Sequence, residues 1–169
     1  KGLIYRGTKM VNWDPAGQTT LSDEEVIFKD TQDQLFTVIY KGVDFDGELM
    51  VATARPETIA GDVAVCVNPN DERYQALIGK KVMVPLIGRE VAIIADDYID
   101  IEFGTGVLKV TPAHDINDYN IGLKFHLPVI DTLNADGTIS AAGELFVGED
   151  RFVARKMWVK KLKEEGLLF

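Results

Sequence analysis

The sequence predicts a mainly β fold: a closed or nearly closed β-barrel of about six core strands, with peripheral α-helices and an N-terminal β-ribbon. Short apolar runs rich in β-branched residues recur at close spacing, and Gly, Asn, Asp or Pro turns separate them. Few segments have a helical period, and strands do not alternate with helices as they do in parallel α/β sheets. These observations together favour a barrel.

The 169 residues, 46% of them hydrophobic, are enough for one domain with a buried core. Because the chain begins at Lys1 without a Met, we expect residues 1–169 to be a single domain within a longer polypeptide. No apolar run approaches the roughly 20 residues of a membrane helix, and the first residues lack a signal-peptide layout. We therefore expect a cytoplasmic protein with no membrane partner.

Charge and cysteine content exclude several classes of site. The 27 acidic and 18 basic residues give a net charge of −9, which argues against a domain that holds nucleic acid by charge alone. The single cysteine, Cys66, lies in the run VAVCV, where we expect a buried strand residue. With one cysteine and two histidines the ligand spacings of zinc and iron sites are missing, so the sequence predicts no metal site.

The first elements are a ribbon and a hairpin. Residues 1–26 are predicted to form the N-terminal ribbon, in which Leu3–Val11 pairs with residues after Gln18. Leu35–Val43 and Glu48–Thr53 are predicted as strands joined by the turn DFDG.

A charged, proline-bearing insert, Arg55–Thr58, then interrupts the apolar pattern before a strand at Gly61–Asn68, which makes the insert a candidate site loop. An apolar face of the last helix is predicted to pack on the core, and its residues are Phe152, Trp158, Val159 and Leu162. The other predicted elements are a short helix from Asn70 or Asp71 to Ile78, a pair of strands at Lys81–Pro85 and Arg89–Ala95 joined by a turn at Gly88, a brief strand over 127–131, a hairpin turning at Asp136 and Gly137, and a last helix over 149–166.

The stretch 101–119 is where strand, turn and helix head meet. Val107–Thr111 has the composition of a strand, and Pro112 ends it because proline has no N–H to donate. A helix is predicted over Ile116–Phe125, with Asp115 as its N-cap. The strand therefore leads directly into a capped helix.

Four side chains of this stretch are expected to share one cavity. Residues two apart in a strand lie on one face, so Lys109 and Thr111 project together toward Asp115 and Asp118. An ammonium, a hydroxyl and two carboxylates are the groups of a polar binding site. Helix capping alone also explains both carboxylates, since they lie in the first turn, where free N–H groups and the helix dipole favour negative charge.

Two long segments carry a family resemblance. ATARPETIAGDVAVCVNPNDERY at 52–74 and FGTGVLKVTPAHDINDYNIG at 103–122 resemble the editing domain of valyl-tRNA synthetases, within the class I synthetases. The flanks at 2–15 and 152–168 are similar to the ribbon and the helix that join that domain to the catalytic fold. KVTPAHD followed by NDY is more similar to the valyl type than to the leucyl or isoleucyl types.

The resemblance implies post-transfer editing, which is hydrolysis of the ester of threonyl-tRNA(Val) by a part of valine–tRNA ligase. It implies two partners: the 3′ end of tRNA(Val) charged with threonine, and the rest of the parent synthetase. It implies no cofactor in this domain, since ATP serves the parent synthetase. A non-catalytic tRNA-positioning module and an editing domain of the leucyl or isoleucyl type remain alternatives.

The resemblance also assigns residues. Lys109, Thr111 and Asp118 become the catalytic set that reads the threonyl side chain, and Asp115 takes the α-ammonium. Direct attack by water is expected, because Thr111 has no base beside it in sequence. The other substrate-binding residues are Arg55 and Phe103 for the terminal adenosine, Thr53 near the ester, and His114, which either orients the turn or moves a proton.

Two points limit the assignment. The family often has a threonine where this chain has Ala54, so a hydroxyl group that the family often places beside Thr53 is absent here. A carboxylate hydrolase using Asp115 and Asp118 is a rival, but one turn of helix places both carboxylates on one wall rather than opposed across a substrate.

Overall fold

The computed structural model describes residues 3, 4, 7–30 and 32–169. Within these residues the chain has eight β-strands and two α-helices, joined by turns and short 3₁₀ helices. The strands are β1 (Asn12–Asp14), β2 (Thr19–Leu21), β3 (Phe36–Gly42), β4 (Glu48–Thr53), β5 (Ala64–Val67), β6 (Lys81–Met83), β7 (Glu90–Ala95) and β8 (Val107–Val110), and the helices are α1 (Ile116–Phe125) and α2 (Arg151–Glu164).

Six of the strands form one mixed sheet that is nearly closed into a barrel. Its order is β4-β3-β6-β7-β5-β8, and β5 with β7 is the parallel pair. The two edge strands, β4 and β8, lie against each other without joining the ladder. The predicted fold class is confirmed, and β1 with β2 forms a separate two-stranded ribbon.

Strand β5 is buried on both faces, and its side chains alternate between two apolar clusters. Val65 and Val67 point into the main core inside the barrel, whereas Ala64 and Cys66 belong to a second cluster with Ile121 of α1. The prediction of a buried Cys66 is confirmed, and burial raises the pKa of its thiol to about 12.

The same alternation places a charge inside the barrel. Val107 of β8 lies in the main core and Val110 lies in the second cluster. Lys109 follows Val107 by two residues and pairs with Val65 of β5, so its side chain enters the barrel interior. The sheet thus carries one ammonium group toward its own core.

Helix α2 packs on the main core through Ala154, Trp158 and Leu162, spaced four residues apart and all fully buried. Phe152 was predicted for this face, and that prediction is wrong because the residue is 53% exposed. Its ring lies under the guanidinium of Arg151, whose carbon is 4.6 Å from the ring centre.

The N-terminal ribbon is shorter and later than predicted. Leu3–Val11 is not a strand in its described residues, and Lys1, Gly2, Tyr5 and Arg6 lie outside the described part of the chain. The turn forms where the Asp14 carboxylate accepts from Ala16 N and Gly17 N at 3.1 and 3.0 Å. This side chain builds the hairpin turn, so the strands lie directly beside it.

Two other elements differ from prediction. The helix predicted to end at Ile78 is only a 3₁₀ turn over Gln75–Leu77, because contacts distant in sequence, such as that of Tyr74 OH with Thr105 O at 2.9 Å, hold this segment. The segment 127–131, predicted as a strand, pairs with no other strand among the described residues, and the N–H of the adjacent Thr132 donates to His114 Nε2. The hairpin at 133–139 keeps a single bridge, whereas the pairs β3–β4 and β6–β7 confirm the predicted hairpins.

Candidate functional site

A cavity of about 500 Å³ opens between the ends of β4 and β8, the head of α1 and the loop 98–103. It brings together every residue that the sequence analysis proposed for the site, although these residues come from four separate segments. They are Thr53, Arg55, Phe103, Lys109, Thr111, His114, Asp115 and Asp118.

The floor of this cavity is a buried polar network around Lys109. Its ammonium donates to Thr58 Oγ1 at 2.8 Å, to Asp62 Oδ1 at 2.9 Å, and to Thr111 Oγ1. An ammonium has three N–H groups, so protein acceptors take all of them in this conformation. Lys109 therefore acts on a ligand through its charge and through the groups that it holds.

Asp62 is the counter-charge of Lys109, and the sequence analysis missed it. The residue is fully buried, and its other oxygen, Oδ2, accepts from Tyr40 OH at 2.5 Å. Burial raises the pKa of the Tyr40 hydroxyl, and the negative charge of Asp62 raises it further. One signal was available in the sequence: a charged residue directly before the apolar run of β5, which needs a partner once it is buried.

The hydrogen bonds of this network fix the direction of the Thr111 hydroxyl proton. Its hydroxyl donates to Asp62 Oδ1 at 2.7 Å and accepts from Lys109. The hydroxyl proton is therefore directed at the carboxylate, and the oxygen presents its remaining lone pair. A group in this state accepts a hydrogen bond from a ligand and does not donate one.

Asp118 lines the cavity from the first turn of α1. Its Oδ2 accepts from Thr111 N at 2.8 Å, so it ties the helix to the end of β8 and does not bond back to the N-cap residue. Among the described residues, Oδ1 accepts no hydrogen bond. Burial raises the pKa of this carboxyl to about 6, while the nearby Lys109 ammonium opposes the rise.

Asp115 is the N-cap of α1, as the sequence predicted. Its Oδ1 accepts from Asn117 N at 2.8 Å and from Asp118 N at 3.2 Å. Oδ2 accepts none within the described chain, and the residue is exposed at the cavity wall. Asp115 thus caps the helix with one oxygen and leaves the other oxygen accessible to a ligand.

Arg55 is held by two contacts at the edge of the cavity. Its Nη1 donates to His114 O at 2.6 Å, and its Nε lies 3.6 Å from Glu57 Oε1. Glu57 is buried and receives two hydrogen bonds from Arg155 of α2, at 2.8 and 2.9 Å. The insert Arg55–Thr58 is therefore anchored to α2. At the start of the insert, Arg55 N donates to Thr53 Oγ1 at 3.1 Å.

His114 connects the turn after β8 to the loop at Thr132. Thr132 N donates to its Nε2 at 3.1 Å, so that ring nitrogen is unprotonated. Burial lowers the pKa of His114 to about 4, so the ring is neutral near pH 7. The sequence left two roles open for His114, orienting the turn or moving a proton. This geometry favours orienting the turn.

The mouth of the cavity has a different character. Phe103 and Tyr98 are 71% and 56% exposed, and Ala54 leaves an apolar wall next to Thr53. Two exposed aromatic rings beside a guanidinium suit a nucleoside, whose base stacks and whose ribose or phosphate is polar. Within the described residues, no cluster of His, Cys, Asp or Glu could hold a metal ion. No helix there is long and apolar enough to cross a bilayer.

Comparisons with known proteins place the chain among aminoacyl-tRNA synthetases. Residues 26–153 match the family described as "Leucyl-tRNA synthetase, editing domain". The chain is 60% identical to the valine–tRNA ligase of Parabacteroides distasonis over 168 residues, covering 99% of the chain and 19% of that relative. It is 54% identical to the valine–tRNA ligase of Halalkalibacterium halodurans over 169 residues, with 100% and 19% covered.

A solved structure shares the fold. The chain superimposes on the leucyl-tRNA synthetase of Agrobacterium radiobacter K84, solved as a ternary LeuRS-tRNA-LeuAMS complex, with a TM-score of 0.63 and 22% identity. The match covers 78% of this chain and 19% of that one. The chain spans about a fifth of the length of the curated relatives it matches. It belongs to the family of aminoacyl-tRNA synthetase editing domains and resembles those of the valine–tRNA ligases.

Proposed function

We propose that this domain hydrolyses the ester of threonyl-tRNA(Val), as the editing unit of a valine–tRNA ligase in the cytoplasm, without a cofactor of its own. The observation that carries the proposal is the buried Asp118 carboxylate, which has one oxygen unpaired within the described chain at the cavity wall. The valine–tRNA ligase relatives supply the parent reaction.

The specificity follows from one hydroxyl group. Valine and threonine are nearly isosteric, so a pocket sized for valine excludes threonine poorly. In the editing cavity the threonine hydroxyl donates to Asp118 Oδ1. A valyl ester has no such donor and leaves a buried carboxylate unpaired. A site of this kind can reject the analogue that lacks the hydroxyl by roughly 10⁴.

The network at the floor of the cavity favours the ionised form of the Asp118 carboxylate and holds it in place. The Lys109 ammonium favours the ionised form of Asp118, which must accept rather than donate. Thr111 holds Asp118 through its backbone N–H, and its own hydroxyl proton is directed at Asp62. Lys109 and Thr111 are then positioning residues, while Asp118 accepts the hydrogen bond from the substrate hydroxyl.

The ester is placed by groups at the edge and the mouth. The outward oxygen of Asp115 takes the α-ammonium, and the Phe103 ring stacks on the terminal adenine, with Arg55 on its ribose or phosphate. Water then attacks the ester carbonyl and the ribose hydroxyl leaves. Aminoacyl esters are reactive, so placement and electrostatics supply the acceleration without a protein nucleophile.

The test is a comparison of two substrates. Threonyl and valyl esters of tRNA(Val) are incubated with the purified chain, and kcat/KM is measured for each. We expect hydrolysis of the threonyl ester and very slow hydrolysis of the valyl ester. Asp118→Asn should reduce the preference by at least about tenfold, whereas Asp97→Asn, which changes an exposed carboxylate outside the cavity, should retain it. Equal rates for both esters with the unsubstituted chain would contradict the proposal.

A further inference from the structure

A second cavity, of about 530 Å³, adjoins the first. Its walls come from the β1–β2 ribbon and from the loop 131–137. It shares Arg55 and His114 with the first cavity, so these two side chains form the boundary between them. Nothing in the proposed hydrolysis uses this second space.

A fixed indole lines the second cavity. Trp13 Nε1 donates to Ala135 O at 2.7 Å, which holds the edge of the ring against the opposite loop. The residue nevertheless remains 43% exposed. An aromatic ring that is held in place and still accessible is a stacking surface for a nucleobase. A ring that served only to close the ribbon against the loop would be covered.

Two guanidinium groups line this space. Arg55 stands at the boundary with the first cavity, and its Nη2 has no hydrogen-bond partner among the described residues. Arg151 lines the second cavity and not the first; its guanidinium lies over the Phe152 ring and forms no ion pair within the described chain. Guanidinium groups bind phosphate through paired N–H donors. The carboxylate of Asp131, in the same lining, offers an acceptor for a base edge.

We propose that the second cavity binds the penultimate nucleotide of the tRNA 3′ end while the terminal adenosine occupies the first. The base stacks on Trp13, the phosphate between the two nucleotides meets Arg55, and the preceding phosphate meets Arg151. This proposal rests on the proposed function for the identity of the strand. It assigns the ribbon a binding role beyond that of a connection.

Binding of short oligonucleotides tests the proposal without any hydrolysis. The probes are adenosine 5′-monophosphate and the 5′-phosphorylated dinucleotide pCpA, which adds the penultimate nucleotide of a CCA end. The chain has two tryptophans, and Trp158 is fully buried, so fluorescence quenching by a stacked base reports on Trp13. We expect quenching with pCpA and none with the mononucleotide, and about tenfold tighter binding of pCpA.

Two variants locate the contact. Arg151→Gln should weaken pCpA binding about tenfold and leave binding of adenosine 5′-monophosphate unchanged. Lys160→Gln is the matched control, because it removes one positive charge from the same helix at a residue outside both cavities. If Lys160→Gln weakens pCpA as much as Arg151→Gln does, only overall charge matters and the proposal fails.

The outcomes separate this proposal from the proposed function. Equal affinity for the two probes, or no quenching by pCpA, contradicts nucleotide binding in the second cavity even if the threonyl ester is hydrolysed. A pCpA advantage that depends on Arg151, in a chain that hydrolyses no ester, supports the second cavity and refutes the hydrolytic function.

Discussion

The floor and the mouth of the main cavity differ in burial and in how many of their hydrogen bonds the protein itself satisfies. At the floor, Lys109, Asp62 and Thr111 are buried and satisfy one another's hydrogen bonds. At the mouth, Phe103 is exposed and Arg55 is only partly engaged by the protein. A saturated floor has one arrangement and is preformed, whereas the mouth gains most of its partners from a ligand.

The difference separates stability from binding. Substitutions at the floor should change the free energy of unfolding, because they leave a buried charge or donor without its partner. Substitutions at the mouth should change substrate binding and leave unfolding almost untouched. Asp118 has one oxygen bonded to Thr111 N and one oxygen without a partner among the described residues, so its substitution should change both unfolding and binding.

The largest effect is expected from Asp62→Ala. It leaves the Lys109 ammonium buried without a counter-charge, which should lower the free energy of unfolding by about 3–5 kcal/mol. Urea unfolding followed by circular dichroism measures this loss. The double variant with Lys109→Met removes both charges and should recover much of the stability. No recovery would mean that Asp62 acts mainly through Tyr40 and Thr111, its other side-chain hydrogen-bond partners.

Asp118→Asn should weaken the preference for threonyl over valyl esters, because the amide no longer provides an ionised acceptor. A charge-assisted hydrogen bond in a closed site is worth about 1.5–3 kcal/mol, or roughly 10- to 150-fold in kcat/KM. The fold should persist, since the amide oxygen can still accept from Thr111 N. A steep fall in melting temperature with normal selectivity would make Asp118 a structural residue only.

The same carboxyl predicts a pH dependence. Its pKa is about 6 in the folded chain and near 3.8 when unfolded, so the folded state binds this proton more tightly. The contribution of Asp118 to stability is therefore lost as pH rises from about 4 through 6. Asp118→Asn should be more stable than the unsubstituted chain at pH 7.5 by about 1–3 kcal/mol, and the gap should close near pH 4. A constant gap between these pH values would refute the assignment.

Phe103→Ala tests the mouth. Loss of a stacking surface should raise KM for the aminoacyl-tRNA by about 5- to 150-fold, from a stacking energy of about 1–3 kcal/mol per base. The ring is mostly exposed, so the free energy of unfolding should change by less than about 0.5 kcal/mol. Steady-state kinetics and urea unfolding on one preparation give both numbers. A large loss of stability would place Phe103 in the core instead.

Arg55→Ala should have the smallest effect on selectivity. We expect KM to rise several-fold and the threonyl-to-valyl ratio to stay within about twofold, because the guanidinium holds the tRNA terminus and not the amino acid. Hydrolysis of both esters is measured over a range of concentrations. An unchanged KM with lost discrimination would show that Arg55 belongs to the amino-acid pocket.

Local chemistry alone determined several parts of this protein. Helix α1 begins and ends where the sequence predicted, because Asp115 caps it and the Pro112 turn precedes it. The pairs β3–β4 and β6–β7 also follow from alternation and turn residues close in sequence. Lys109 and Thr111 were placed on one face for the same reason, and the two do contact each other.

Only the tertiary structure decided which groups complete the site. Asp62 lies 47 residues before Lys109 in the chain, and Thr58 lies 51 before it, yet both bond its ammonium once the barrel forms. No local pattern relates these positions, because the order of the strands in the sheet brings them together. The short helix predicted to end at Ile78 failed for the same reason: contacts such as Tyr74 OH to Thr105 O override local propensity.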